Sequence, residues 1–246
     1  MFSAILFAAL LSFSGAGKLP ANLKVCKRTD PNINECFRDA VQDSLPKIKA
    51  GIPELNFPPF EPFEIPSMSI QAGHSAVQVV QNYKNLKLHG LSESIVDDAK
   101  LEHSEDGFKA EMDVTIPTVR AEADYEVHGQ LLMLPITGSG KSSLLFKDSK
   151  ATILMVGKKI EKKGKTYLEV SELKVDFVPK VGEFHFDNLF NGDQALGDSM
   201  NKMINENWKE LFEEIKPGFD EIFSKLFQTT ANSIFTKIAG DDMFPV

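Results

Sequence analysis

The sequence predicts an α+β protein in which a long C-terminal α-helix is wrapped by a strongly curved antiparallel β-sheet, with a short helix near the N-terminus. Two observations lead there. From about Asp193 to Ile238 the large apolar residues Leu196, Met200, Ile204, Trp208, Leu211, Ile215, Phe219, Ile222 and Leu226 recur three or four apart, the spacing of one helix face. Met203, Phe212, Phe223, Phe227 and Phe235 widen that stripe. From about Met68 to Asn188 the apolar period drops to two, the signature of strands with one wet face. At 1.5 Å per residue the helical run would reach roughly 69 Å, against a radius of gyration of about 17 Å for a compact chain of this length. The strand region is the only material long enough to cover it.

Residues 2–13 are apolar and uncharged, and Ser14, Gly15, Ala16 and Gly17 follow before the first charge, Lys18. The stretch is too short to span a bilayer and reads as a signal peptide over residues 1–17, although it lacks a positive n-region. Residues 18–246 then form one domain of a secreted, extracellular protein. Cys26 and Cys36, the two cysteines of the chain, are expected to pair in an oxidising compartment. Closing so short a loop stabilises the fold by about 3 kcal/mol on the chain-entropy account.

The residues between Asn32 and Lys49 predict an amphipathic helix. Asn32 is placed to cap it, Glu35 completes a capping box, and Ile33, Phe37, Ala40, Val41, Leu45 and Ile48 form its inner face. Pro53, Pro58, Pro59, Pro62 and Pro66 then impose an extended segment whose aromatics turn inward. Strands follow. Phe108, Ala110, Met112, Val114 and Ile116 alternate with polar residues, then Val119, Ala121, Ala123, Tyr125 and Val127 do the same. Further strands are expected at 144–156, 167–177 and 181–187, with a bulge between Val170 and Leu173 where the alternation shifts. Lys158, Lys159, Lys162, Lys163 and Lys165 surround Gly164 and read as a solvated hairpin tip. Pro217-Gly218 predicts a kink or break of the terminal helix at Lys216.

Signatures of catalysis are missing. Thr137-Gly138-Ser139-Gly140-Lys141-Ser142 imitates the tail of a phosphate-binding loop, but Pro135 stands where that motif needs glycine, so the segment is expected to form a hairpin turn. His74, His89, His103, His128 and His185 are scattered, and no serine or cysteine sits in an activating context. No cofactor and no metal are expected, since two thiols do not make a four-ligand site. A net charge of −8 argues against nucleic acid and anionic surfaces as partners. No segment beyond the leader is apolar for long enough for stable membrane insertion, and a monomer is expected.

Several elements together carry a resemblance. They are the Cys26/Cys36 pair, the helix after it, Gly51-Ile52-Pro53-Glu54-Leu55 with Pro58-Pro59, His89-Gly90-Leu91-Ser92, Leu134-Pro135-Ile136-Thr137-Gly138-Ser139-Gly140, and Asn205-Glu206-Asn207-Trp208-Lys209 with Phe212 and Pro217. Over the whole mature chain the sequence resembles the Takeout family of insect secreted proteins, relatives of the haemolymph juvenile-hormone-binding proteins. Moth members of the latter carry a second cysteine bridge that this chain lacks, which sets it with the Takeout-like members.

The resemblance implies the tubular lipid-binding fold, a helix rolled in a curved sheet around an apolar tunnel, and with it a carrier of a hydrophobic small molecule such as a terpenoid, a fatty-acid derivative or another lipid. The residues it implies for the tunnel are Phe108, Met112, Val114, Tyr125, Val127, Met133, Met155, Phe177, Phe184, Met200, Met203, Ile204, Trp208 and Leu211. The flexible methionines suit ligands of varied shape. The competing readings are a membrane-acting lipid-transfer or defence protein of the same broad fold, and a signalling partner whose ligand regulates docking.

Overall fold

The computed structural model describes residues 17–73, 77–131 and 133–246; the predicted leader, apart from Gly17, lies outside them. Seven strands form one antiparallel sheet: β1 (Phe63–Gly73), β2 (Val77–His89), β3 (Ile95–His103), β4 (Gly107–Leu131), β5 (Leu134–Lys162), β6 (Lys165–Val178) and β7 (Val181–Phe186). The spine is the β4–β5 pair, in register from Gly107↔Lys158 to Leu131↔Leu134. The ladder skips one position, between Ile116↔Ser149 and Thr118↔Lys147. Pro117 brings no N–H to that gap and Asp148 adopts φ 49°, so the spine bends there. The flanking strands change at the same place. On one side of the bend β4 carries β2 and β5 carries β7; on the other they carry β3 and β6. The inward set of β4 switches phase across the bend, from Met112, Val114 and Ile116 to Val119, Ala121 and Ala123, all buried.

The strand expected in two pieces at 108–116 and 119–127 is therefore continuous. The expected bulge in β6 is present, with Ser171 unopposed between Val156↔Glu172 and Gly157↔Val170. Lys163 and Gly164, at φ 51° and 71°, make the two-residue turn joining β5 to β6. The hairpin turn expected at Thr137–Ser142 is not one. These residues lie inside β5, and the turn falls before Leu134. Their glycines have a different cause: an added Cβ would come within 2.9 Å of Leu189 Cα at Gly138 and 2.8 Å of Asp187 O at Gly140, where the chain leaving β7 crosses the strand.

Among the described residues four α-helices complete the fold: α1 (Ile33–Lys47), α2 (Gln194–Glu206), α3 (Trp208–Phe235) and α4 (Gly240–Met243). The terminal helix breaks at Asn207 (φ −116°, ψ 17°), not at Lys216, and α3 continues through Pro217. The reason lies in the packing. Phe212, Phe219 and Phe223, on both sides of the proline, sit in one aromatic cluster with ring centroids 5.9 and 4.3 Å apart, which fixes the helix axis there. Before the break, α2 is held by Asn201 and Asn205, whose carboxamides each exchange two hydrogen bonds with the β7 backbone, at Phe186 (2.9 and 2.9 Å) and Phe184 (2.7 and 2.8 Å).

α3 treats the edge of β6 in the same way. Ser224 accepts from Val175 N–H, Asn232 exchanges two bonds with Val170, and Gln228 donates to Val170 O. Helix α1 does so for β3, through Gln42 on Val96 and Asn34 on Leu101. Polar side chains on helices thus satisfy strand edges that would otherwise present unpaired backbone. The opposite flank of α3 reaches β1, with Phe227 5.5 Å from Phe63. The helix therefore roofs the trough from one edge of the curved sheet to the other.

Cys26 and Cys36 are bonded, tying the N-terminal arm to α1. The expected capping box on α1 does not form: Asn32 makes no side-chain cap, and its N–H is taken by Asp30 Oδ1 at 2.8 Å. Leu196, expected on the inner helix face, is half exposed, and the buried face of α2 runs through Gly197, Met200 and Ile204.

Candidate apolar cavity

Between the roof and the sheet lies a cavity of about 250 Å³. That is larger than the roughly 150 Å³ void that admits benzene and just below the roughly 300–1,000 Å³ of small-molecule sites, so it has room for a slender guest. Its length follows the spine. Leu131, Ile136 and Val77 bound it beyond the β2 side of the bend, and Met112, Ile153 and Val96 on the other side, under α1. One wall is a run of phenylalanines in mutual contact. Phe146 touches Phe177, Phe184 and Phe212 at 5.6 Å each, and Phe219, Phe223 and Phe227 continue along α3 at i, i+4 spacing.

No residue lining the cavity carries a formal charge. The polar groups on the wall come chiefly from Tyr83, Tyr125, Gln81 and Ser94. Tyr83 and Tyr125 face each other across β2 and β4. The Tyr125 hydroxyl donates to Asp187 O at 2.6 Å; burial, then the nearby Asp187 charge, push its pKa up to about 12. Burial, then Tyr125, raise the Tyr83 phenol further still. Both stay protonated at physiological pH.

Nine of the fourteen residues expected to line a tunnel meet at this cavity: Met112, Val114, Tyr125, Val127, Phe177, Phe184, Ile204, Trp208 and Leu211. Five stand elsewhere. Met133 is 91 % exposed in the β4–β5 turn, with φ 67°. Phe108 lies beyond the end of the cavity, where its ring stacks on Phe235 at 5.4 Å and fills the interior. Met155, one step past Ile153 along β5, falls in that filled stretch. Met200 is buried in the core under α2, and Met203 is half-buried against it. Phe146 and, on α3, Phe212, Phe219, Phe223 and Phe227 were missed as wall residues; the i, i+4 spacing of Phe219, Phe223 and Phe227 is the signal that marks three of them.

Among the described residues there is no cluster of three or more His, Cys, Asp or Glu that could hold a metal, and no helix long and apolar enough to cross a membrane. His185 and Asp187 form an exposed pair at 2.9 Å.

Known proteins match this architecture along its length. The sequence model of the family described as haemolymph juvenile hormone binding protein (JHBP) matches residues 2–245. The circadian clock-controlled protein daywake of Drosophila melanogaster is 28 % identical over 231 residues, 92 % of this chain and 88 % of its own length. The daywake protein of Drosophila yakuba is 26 % identical over the same shares. The crystal structure of Takeout 1 from Epiphyas postvittana superposes with a TM-score of 0.77 at 25 % identity, covering 91 % of this chain and all of that one. A matched sequence model over nearly the whole chain and a shared helix-roofed sheet lead to one conclusion: this protein belongs to the haemolymph juvenile hormone binding protein family, alongside the Takeout proteins.

Proposed function

We propose that the protein is a secreted, non-catalytic carrier of a hydrophobic small molecule, held in the cavity between α3 and the sheet. The observation that carries this reading is the uncharged, aromatic-walled void itself, because a core built only for stability leaves no space of that size. A long apolar molecule entering it gains roughly 0.8 kcal/mol for each methylene removed from water. A guest with a dozen methylenes needs few polar contacts to bind usefully. Membership of a family named for juvenile hormone binding supports a terpenoid or comparable lipid as the ligand. The Cys26–Cys36 bond and the apolar first residues support export to an oxidising compartment.

The nine expected residues at the cavity, with Phe212, Phe219, Phe223 and Phe227 of α3, are the proposed ligand contacts. The protein purified from its own source, extracted into organic solvent and examined by mass spectrometry, should yield a bound apolar molecule in near-stoichiometric amount. An empty extract, together with failure of the purified chain to take up diphenylhexatriene, would overturn the proposal.

A further inference from the structure

Four polar side chains on the cavity wall differ in what their protons do. The Tyr125 hydroxyl is committed to Asp187 O, and the Ser94 hydroxyl donates to Leu91 O at 2.7 Å. Tyr83 instead donates to another side chain, Gln81 Oε1, at 2.6 Å. The two residues are i and i+2 on β2, so they share its inner face, and apolar wall continues on either side at Val79 and Leu86.

A phenol that has donated its proton still accepts on oxygen, and a carboxamide carries both a donor and an acceptor. An alcohol can therefore replace the pair's internal bond, accepting from the phenol while donating to Gln81 Oε1, and a ketone or ester oxygen can accept from the Gln81 amide N–H with that bond intact, so neither leaves a polar group stranded. Burial keeps the phenol protonated, so it remains a donor throughout the physiological range. The absence of charge from the lining has the complementary consequence. A carboxylate brought inside would be desolvated with no cation to pair it, the costly case for a buried ion. Lys84, adjacent in sequence, is exposed on the outer face opposite Asp124.

We infer that the cavity selects a neutral lipid bearing a hydrogen-bonding oxygen (an alcohol, ketone or ester), holds that oxygen at Gln81 and Tyr83, and rejects the anion of a fatty acid of equal length. This rests on the carrier reading and narrows it to a ligand class.

The test uses the delipidated full chain loaded with diphenylhexatriene and competed, at mildly alkaline pH, with hexadecanol, methyl hexadecanoate or hexadecanoate. The alcohol and the ester should displace the probe at concentrations roughly 100-fold or more below the carboxylate, as follows from burying an unpaired ion. In the doubly substituted protein, Gln81→Leu with Tyr83→Phe, the ratio of alcohol affinity to diphenylhexatriene affinity should fall about tenfold, the upper range for a neutral hydrogen bond. Tyr83→Phe alone, a near-isosteric change, should move the same ratio in the same direction and guards against a double variant that folds poorly. A carboxylate that competes within a few-fold of the alcohol overturns the inference, and so does a ratio unmoved by Tyr83→Phe. If the probe is taken up and only the discrimination is missing, the carrier reading stands without it. If the wild-type chain takes up no probe, both fall.

Discussion

Replacing Ala121 by leucine separates a void from a filled core by the sign of its effect. Ala121 lies mid-way along β4, opposite Leu88 on β2 and Leu144 on β5, and all three line the cavity. An empty space of about 250 Å³ costs about 6 kcal/mol at about 24 cal/mol per Å³, a large part of the roughly 5–15 kcal/mol by which a domain is stable. Leucine adds three carbons at that point. At about 0.8 kcal/mol for each buried methylene they should stabilise the ligand-free protein by about 2 kcal/mol, a rise in Tm of about 4–8 °C for a chain of this size. The same carbons occupy the space of about three ligand methylenes, so the affinity for an apolar probe should drop roughly 30-fold. Differential scanning calorimetry of the delipidated protein and titration with diphenylhexatriene read the two effects separately. If the interior were solid, the extra carbons would overpack it and cost about 1–3 kcal/mol. A lowered Tm with unchanged probe binding would therefore refute the reasoning.

Three other perturbations bear on the frame around the cavity. Glu61 accepts from Gly90 N–H at 2.9 Å and from the Ser92 hydroxyl at 3.0 Å, so Glu61→Ala should strand these donors and cost about 1–3 kcal/mol in urea unfolding, with Glu61→Gln losing less. An unchanged midpoint for the alanine variant would show that the carboxylate is dispensable. Gly182→Ala places a Cβ 2.6 Å from Trp208 Cε3 and 3.0 Å from Phe184 Cε2, which should displace the only tryptophan of the chain; the expected loss is about 1–3 kcal/mol, with a shifted intrinsic fluorescence spectrum. His103 packs edge-on against Phe244 with Nε2 unpartnered, and burial, then Arg28, hold its pKa below the ordinary value. The unfolded chain thus binds a proton that the fold resists, so stability should fall as pH drops below about 6.5 and level off once the folded value is passed. In His103→Leu that part of the slope of denaturation midpoint against pH should vanish, and parallel curves for the two proteins would exclude the histidine as its source.

Much of the architecture was legible because it is written in periodicity. The even-numbered apolar set through Ile116 and the odd-numbered set from Val119 marked two inward faces, and the structure joins them at Pro117. What periodicity could not reveal was that the partner strand bends at the same level, because an aspartate such as Asp148 tolerates a positive φ without requiring one. The terminal helix was read with its interruption in the wrong place. Proline is visible in sequence and was given the kink, whereas the break at Asn207 arises where α2 stops following the edge of β7, a tertiary cause. Gly138 and Gly140 looked like turn residues because the close crossing they permit involves a segment some fifty positions further on. The cavity wall was legible where alternation fixes the inner face, as at Met112, Val114, Tyr125 and Val127. It was misread where a methionine was chosen for its flexibility, since residue type does not tell whether neighbouring space is filled, as by Phe108 and Phe235, or left open.

The order in which the chain is laid down has a consequence for loading. The trough is complete once β7 ends at Phe186, but its roof, α3, comes from residues 208–235. At about 5–20 residues per second, ribosomal synthesis of residues 187–246 takes roughly 3–12 s. Until those residues are made the apolar face of the strands has no cover, and a guest of the proposed kind present there would need no gate to reach it. Docking of α3 would then enclose that guest with the strands beneath it.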